Sequence, residues 1–340
     1  MVGNKVGGVV GILLLVVGLL AAPAGADDAK TWPVKHRLLG PDGAKSTDVS
    51  GIACTPAAGF PRSCLVIDDN SQSAQLVTLE DGKINAGEQV ELISNKFKKK
   101  ALELDGEGVA FAEGFYYVIG SHGHPRDKKH KLDAVKDKEE IDARIIAASQ
   151  VVRIKAEPSG TVSVVDRSPN LRNIIAAQPE LQRFAEQRLE NNGVTIEGIA
   201  IRGKRVFFGF RGPALDDGRA PILSVALDAL FGGGAPDARL SQLQLGDGQG
   251  VRDLAPLDNG FLILAGPTAD GPGRYAVYWW EGDSDNVRFL RDLADIIGNH
   301  RERKPEALLP LDKGSSGLRV LILSDGAEEG APTAVTMPAP

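Results

Sequence analysis

Five short segments of this chain resemble one another: Ser50-Gly51-Ile52-Ala53, Glu107-Gly108-Val109-Ala110, Glu197-Gly198-Ile199-Ala200, Arg252-Asp253-Leu254-Ala255 and Glu306-Ala307-Leu308-Leu309. A polar residue leads, a small or short one usually follows, then a branched aliphatic residue, then usually alanine. The segments start 57, 90, 55 and 54 residues apart, and the long interval is one period plus about 35 residues. Such a repeat restricts the fold strongly, because each unit can bury its apolar face only against its neighbours.

A turn and a hydrophobic run follow each motif, at 64–70, 115–124, 205–213, 260–268 and 319–326. Further strand-like runs come at 75–79, 150–154, 222–227 and 275–280. Each repeat therefore holds three to four short strands. Abundant glycine, scarce aromatics and little helical periodicity agree with an all-β chain. A period near 50 residues built from such units predicts a β-propeller. Five blades are expected; six would need a blade without the motif between Glu107 and Glu197. The motif suits the innermost strand, where Gly and Ala let crowded backbones approach and the branched residue fills the space between sheets. The surplus in the second repeat has two sources, a charged insertion at 122–148 and one with helical spacing at 171–192. Only 15 residues follow Asp325, enough for one strand around Thr333 to Met337. Trp32 to Leu39 is read as the missing outer strand that joins the two ends and closes the ring, which removes exposed sheet edges.

Residues 1–26 read as a signal peptide. Lys5 supplies the positive start, Val9 to Leu20 the apolar core, and Ala24-Gly25-Ala26 the small-residue cleavage site. A retained membrane anchor is the alternative, but the run is short for a span, which takes roughly 20 apolar residues. Cleavage after Ala26 would leave 27–340 as a single propeller domain, periplasmic or secreted, with no membrane span. The net charge is −6, and losing Lys5 with the leader makes it −7. An acidic chain lacks the basic field that nucleic-acid binding needs. Cys54 and Cys64 flank a turn-like stretch with two prolines. In an oxidising compartment the pair is read as a disulfide, with two buried thiols as the alternative.

In a propeller blade the start of the first strand and the end of the second lie on one face of the disc. The motif leaders Ser50, Glu107, Glu197, Arg252 and Glu306 are thus expected around one tunnel mouth, with Asp48 beside Ser50. Asp69, His122, His124, Arg211 and Asp325 join them from further out. Converging glutamates repel, so a proton, a cation or an arginine must offset them. Glu107, Glu197, Glu306 and Asp48 are candidate ligands for calcium or magnesium, since hard cations take carboxylate oxygen. The competing reading is a structural salt-bridge ring. Arg211, Arg252, His122, His124, Asp69 and Asp325 are candidate substrate- or anion-binding residues. Arg211 has the geometry to grip a carboxylate or phosphate, or to bridge to Asp216 or Asp217 in its own loop. The sequence contains no serine triad pattern, P-loop or dinucleotide fingerprint.

LELDGEGVAF, TIEGIAI, GVRDLAPL and KPEALLPL, together with FRGPALDDGRAPIL, resemble a bacterial family of unknown function, DUF3616, from about Trp32 to Gly330. That family is similar in its Glu-Gly motif to phytase-like and esterase-like propellers, whose mouth carboxylates can bind calcium. The resemblance carries over to Glu107, Glu197 and Glu306 only; Ser50 and Arg252 depart from it. Two functions follow as expectations. One is an exported metal-assisted hydrolase of phosphoesters, acting on a small anionic molecule at the mouth. The other is a non-catalytic propeller that binds or scaffolds a periplasmic protein through its insertions.

Overall fold

Valine, isoleucine, leucine and phenylalanine fill the second strand of each repeat, and that strand is covered on both faces. Seven of the eight residues of Arg205–Gly212 are buried, as are seven of the eight of Gly260–Pro267. Continuous apolar runs without alternation are what a sheet packed on both sides requires. The computed structural model describes residues 1–3, 30–126, 132–157 and 160–340. Beyond its first three residues, the expected signal peptide, with its cleavage site, lies outside the described residues.

Five antiparallel sheets are arranged as blades. From the axis outward, blade one contains Val49–Thr55, Arg62–Asp68, Ser73–Glu80 and Lys83–Glu91. Blade two contains Gly106–Ala112, Phe115–Gly120, Val151–Ala156 and Val162–Ser168. Blade three is Thr195–Arg202, Arg205–Gly212, Ala220–Ala226 and Arg239–Leu243, and blade four is Gln249–Leu257, Gly260–Pro267, Ala276–Trp280 and Val287–Asp292. Blade five is built from both ends of the chain: Lys304–Gly314, Gly317–Asp325 and Thr333–Met337, then Lys30–Thr31 on the outside. Each innermost strand packs on that of the next blade, and Lys304–Gly314 returns to Val49–Thr55. The ring is a five-bladed β-propeller. The stretch between Glu107 and Glu197 holds the rest of blade two and its insertions, not a sixth blade.

The ring closes through other residues than expected. Lys30 and Thr31 pair antiparallel with Ala334 and Thr333. Trp32 follows them, its N–H donating to Pro332 O at 2.7 Å. The Trp32–Leu39 stretch then crosses to blade one, where Val34–Lys35 adds a parallel fifth strand to Lys83–Glu91. Closure thus takes two residues just before the predicted strand, and the predicted strand covers the neighbouring edge.

The second position of the motif is where inner strands touch. A Cβ on Gly51 would lie 2.8 Å from Gly108 Cα, and one on Gly108 would lie 3.1 Å from Glu197 O. Only glycine allows such approach without displacing backbone. In blade four Asp253 stands there instead. Its carboxylate accepts the N–H groups of Leu254 and of Leu308 on blade five, each at 2.7 Å. The apolar part of the motif is therefore packing, as read.

The charged insertion leaves blade two after its second strand and contains the helix Lys138–Ala148. The other contains Asn170–Ala176 and Pro179–Gln182. They meet: His124 Nε2 lies 3.3 Å from Glu186 Oε2, and Arg188 donates to Leu132 O at 3.1 Å. Cys54 and Cys64 form a disulfide across a paired position of blade one, which fits an oxidising compartment. Among the described residues no helix is long and apolar enough to cross a membrane.

Trp32 anchors the closure, since it is 2% exposed and packs with Phe60. Trp32→Ala is expected to destabilise the chain by about 3–5 kcal/mol, the usual cost of deleting a large buried aromatic side chain. The midpoint of urea unfolding, with the slope unchanged, measures it.

Candidate functional site

Each innermost strand has one residue skipped by the pairing at the same place in every blade. In blade one Val49 pairs with Asp68 and Gly51 with Ile67, so Ser50 is left out of the ladder. Glu107 is skipped between Gly106 and Gly108, Glu197 between Ile196 and Gly198, Arg252 between Val251 and Asp253, and Glu306 between Pro305 and Ala307. A β-bulge of this kind bends the strand and re-aims the extra side chain. Five polar residues are thereby buried around one axial mouth, between 1% and 6% exposed.

Four of the five leaders join one polar chain. Arg252 sits between two glutamates, with Nε 2.7 Å from Glu197 Oε2 and Nη2 on Glu306 Oε1. Glu306 Oε2 is 3.5 Å from the Ser50 hydroxyl. Glu197 Oε1 takes Arg211 Nη1 at 3.1 Å, and Arg211 Nη2 reaches Asp270 Oδ1 at 2.9 Å. Arg126 Nη1 meets the same Asp270 oxygen at 3.0 Å. Backbone carbonyls take more of the guanidinium protons: Thr268 O from Arg211 at 3.2 Å, Pro267 O from Arg252 at 3.3 Å. Removing one partner of a buried ion pair commonly costs about 3–5 kcal/mol, so neither Arg211 nor Arg252 is readily released to a ligand. Arg211 bridges to blade four, whereas Asp216 pairs with Arg183 at 2.7 Å.

Glu107 is the exception. It is 5% exposed and no hydrogen bond or ion pair engages its carboxyl among the described residues. Burial, then repulsion by Glu197, Asp105 and Asp69, holds that carboxyl well above the usual glutamate range, and Arg126 offsets this only in part. The acids of blade one share the strain. Burial, with repulsion by Asp105, Asp48, Asp325 and Asp68, also pushes Asp69 well up. Its Oδ1 is buried without a partner. Asp68 is raised to about 6, mainly by burial, against the Ser46 hydroxyl that donates to it at 2.6 Å. Asp48 is half-exposed and accepts the Thr47 hydroxyl at 2.5 Å. Asp325 is held by Lys304 at 2.5 Å. The blade-one and blade-two side of the mouth is thus acidic and poorly matched, and the rest is matched.

The histidines stand apart from this chemistry. His122 is buried, with Nδ1 2.9 Å from Gly120 O, and burial lowers it to about 4, so the ring is neutral near pH 7. A neutral imidazole offers an anion no charge. His124 faces Glu186 of the second insertion. Sequence reasoning missed Asp105, Asp270 and Arg126. Asp105 lies two residues before Glu107 and had a signal as the acid inside LELDGEG; Asp270 and Arg126 stand in Gly- and Pro-containing loops that carry none. Among the described residues no group of three His, Cys, Asp or Glu side chains is placed to hold a metal ion.

The profile of one family, described as "Protein of unknown function (DUF3616)", matches residues 48–334. The chain belongs to the DUF3616 family. No curated protein matches it. Among solved structures it is similar to an exo-β-1,3-galactanase of Phanerochaete chrysosporium, at 10% identity and a TM-score of 0.46, over 91% of this chain and 63% of that one. It is similar also to GH43B of the Bacteroides ovatus xyloglucan PUL, at 9% and 0.47, over 91% and 54%. A third is the GH43 endo-arabinanase of Bacillus licheniformis, at 9% and 0.40, over 86% and 94%. The chain therefore spans less than two thirds of the first two. These likenesses carry no inference about its chemistry.

A carboxyl that holds its proton more tightly folded than unfolded stabilises the fold at acid pH. That contribution is lost as pH rises above the unfolded value and through the folded one. Glu107→Gln cannot ionise. The variant is expected to melt above the parent at pH 8 and level with it at pH 4, by scanning calorimetry; a pH-independent difference contradicts the assignment.

Proposed function

We propose that the axial mouth is a hydrolytic acid–base site in which Glu107 gives up a proton and Asp105 takes one. The observation that carries this reading is the isolation of Glu107: it is buried, held well above the usual glutamate range and without a partner among the described residues, while the leaders of the other blades are tied into one polar chain. A catalytic acid needs its proton held more tightly than an ordinary carboxyl holds it, which burial beside other carboxyls does for Glu107. Asp105 is half-exposed, where water reaches it, and it repels both Glu107 and Asp69. Water adds to the electrophilic centre and loses a proton to Asp105. The bond to the leaving oxygen breaks, and Glu107 protonates that oxygen.

The phosphoester expected from sequence has less support than a neutral or cationic ester or glycoside. Its two anion grips, Arg211 and Arg252, are committed to Glu197, Glu306 and Asp270. Calcium or magnesium would have to be drawn in by Glu107 and Asp69, which as placed do not complete a set of ligands. The second reading, a binding or scaffolding propeller, is supported by the two insertions, which pack together into one lobe beside the mouth.

Nitrophenyl acetate, nitrophenyl glycosides and nitrophenyl phosphate, each with and without added calcium or magnesium, separate these readings. The expected result is metal-independent turnover of an ester or glycoside that fades as pH rises and falls about 100- to 10,000-fold in Glu107→Gln. Phosphate turnover that needs the metal favours the metal-assisted reading. A folded chain inactive on all three classes favours binding.

A further inference from the structure

We infer that the blade-one corner of the mouth, formed by Asp48 and Asp69, takes the primary ammonium group of the ligand. The inference rests on Glu107 as the neighbouring proton donor, but its test does not use turnover. The backbone N–H of Asp69 donates to Asp48 O at 3.0 Å, which brings the two acids to one corner. Around them three other acids already have donors. Asp68 has Ser46 at 2.6 Å and the Asn70 N–H at 3.1 Å, Asp325 has Lys304, and Glu306 has Arg252. Asp69 Oδ1 is buried with nothing to accept from. Glu107, 5% exposed and without a partner among the described residues, is near enough for Asp69 to repel it.

Among the described residues no positive group with several N–H donors is paired with Asp69. No three acidic side chains converge as ligands of one ion among the described residues. The negative charge is spread, which suits a cation that reaches several acceptors from a larger body. An ammonium carries three donors on one nitrogen and can serve Asp69 Oδ1 and the Asp48 carboxylate together. The opposite side of the mouth has its arginines engaged and offers no grip to an anionic ligand. Neutralising Asp69 also leaves the acid in place, because burial, Glu197 and Asp105 contribute more to the protonation of Glu107 than Asp69 does.

Isothermal titration at pH 7 and low salt tests this with glucosamine and putrescine, against glucose and N-acetylglucosamine as neutral counterparts and calcium chloride as the competing cation. At least one amine is expected to bind and its neutral counterpart not. Asp69→Asn is expected to weaken the amine about tenfold or more, as loss of a charge-assisted hydrogen bond does, with Asp48→Asn carrying the same expectation if Asp69→Asn does not fold. Glu107→Gln should still bind. Glucosamine above putrescine points to an amino sugar, and the reverse to a polyamine. Equal binding of neutral and amino compounds, no amine binding, unchanged affinity in both aspartate variants, or calcium binding tighter than either amine overturns the inference. Amine binding by a chain that hydrolyses no ester or glycoside leaves the inference standing and removes the proposed reaction.

Discussion

The surplus residue in each innermost strand is the constraint from which the mouth follows. A regular ladder would alternate side chains between the two faces of each blade and send none along the axis. The bulge takes Ser50, Glu107, Glu197, Arg252 and Glu306 out of the pairing in all five blades. The next residue must then let the neighbouring strand pass, and Gly51, Gly108, Gly198 and Ala307 do so. Asp253 does it differently, using its carboxylate to hold two backbone N–H groups, one of them across the blade boundary. Backbone geometry and side-chain chemistry at the mouth are therefore two sides of one repeated irregularity.

Five bulges alone would give a symmetric ring, and a ring of buried acids would not hold together. Substitution of the leaders removes the symmetry. Arg252 lies between Glu197 and Glu306, so the inner strands of blades three, four and five are tied by one guanidinium. Ser50 adds a hydroxyl rather than another charge. What remains is Glu107, whose nearest charges are mostly of its own sign. The fold answers by holding its carboxyl well above the usual glutamate range. Burial without a partner is costly for an ionised carboxyl and much less so for a neutral one, so the same environment that isolates Glu107 makes it an acid.

Much of the ring was legible because it depends on composition at a fixed period. Short apolar runs following a small-residue motif required stacked blades, and the spacing gave their number. The insertions stood out as charge and helical spacing inside an otherwise β-rich repeat. The closing strand was displaced because Lys30 and Thr31 carry no apolar alternation, while Trp32 to Leu39 does look like a strand and pairs with blade one instead. The gathering of the leaders could be anticipated from blade geometry, but the bulges could not, since one unpaired residue leaves no mark in a hydrophobic pattern. The partners of Arg211 were likewise hidden. A long side chain that crosses to Asp270 on the next blade bypasses the aspartates nearest in sequence. Charge counting around the mouth suggested that something must offset three glutamates; only their placement shows that two have arginine, while burial and neighbouring acids hold the third well above the usual glutamate range.

The central claim is that Glu107 is neutral at physiological pH. Carboxyl NMR of protein labelled at the glutamate side chains, titrated with the Glu107→Gln variant beside it, measures this directly. The account predicts one resonance, missing from the variant, whose midpoint lies well above the ordinary glutamate value of 4.5. If the resonance lost in the variant titrates near that ordinary value, Glu107 is ionised at neutral pH and the account of the mouth is wrong.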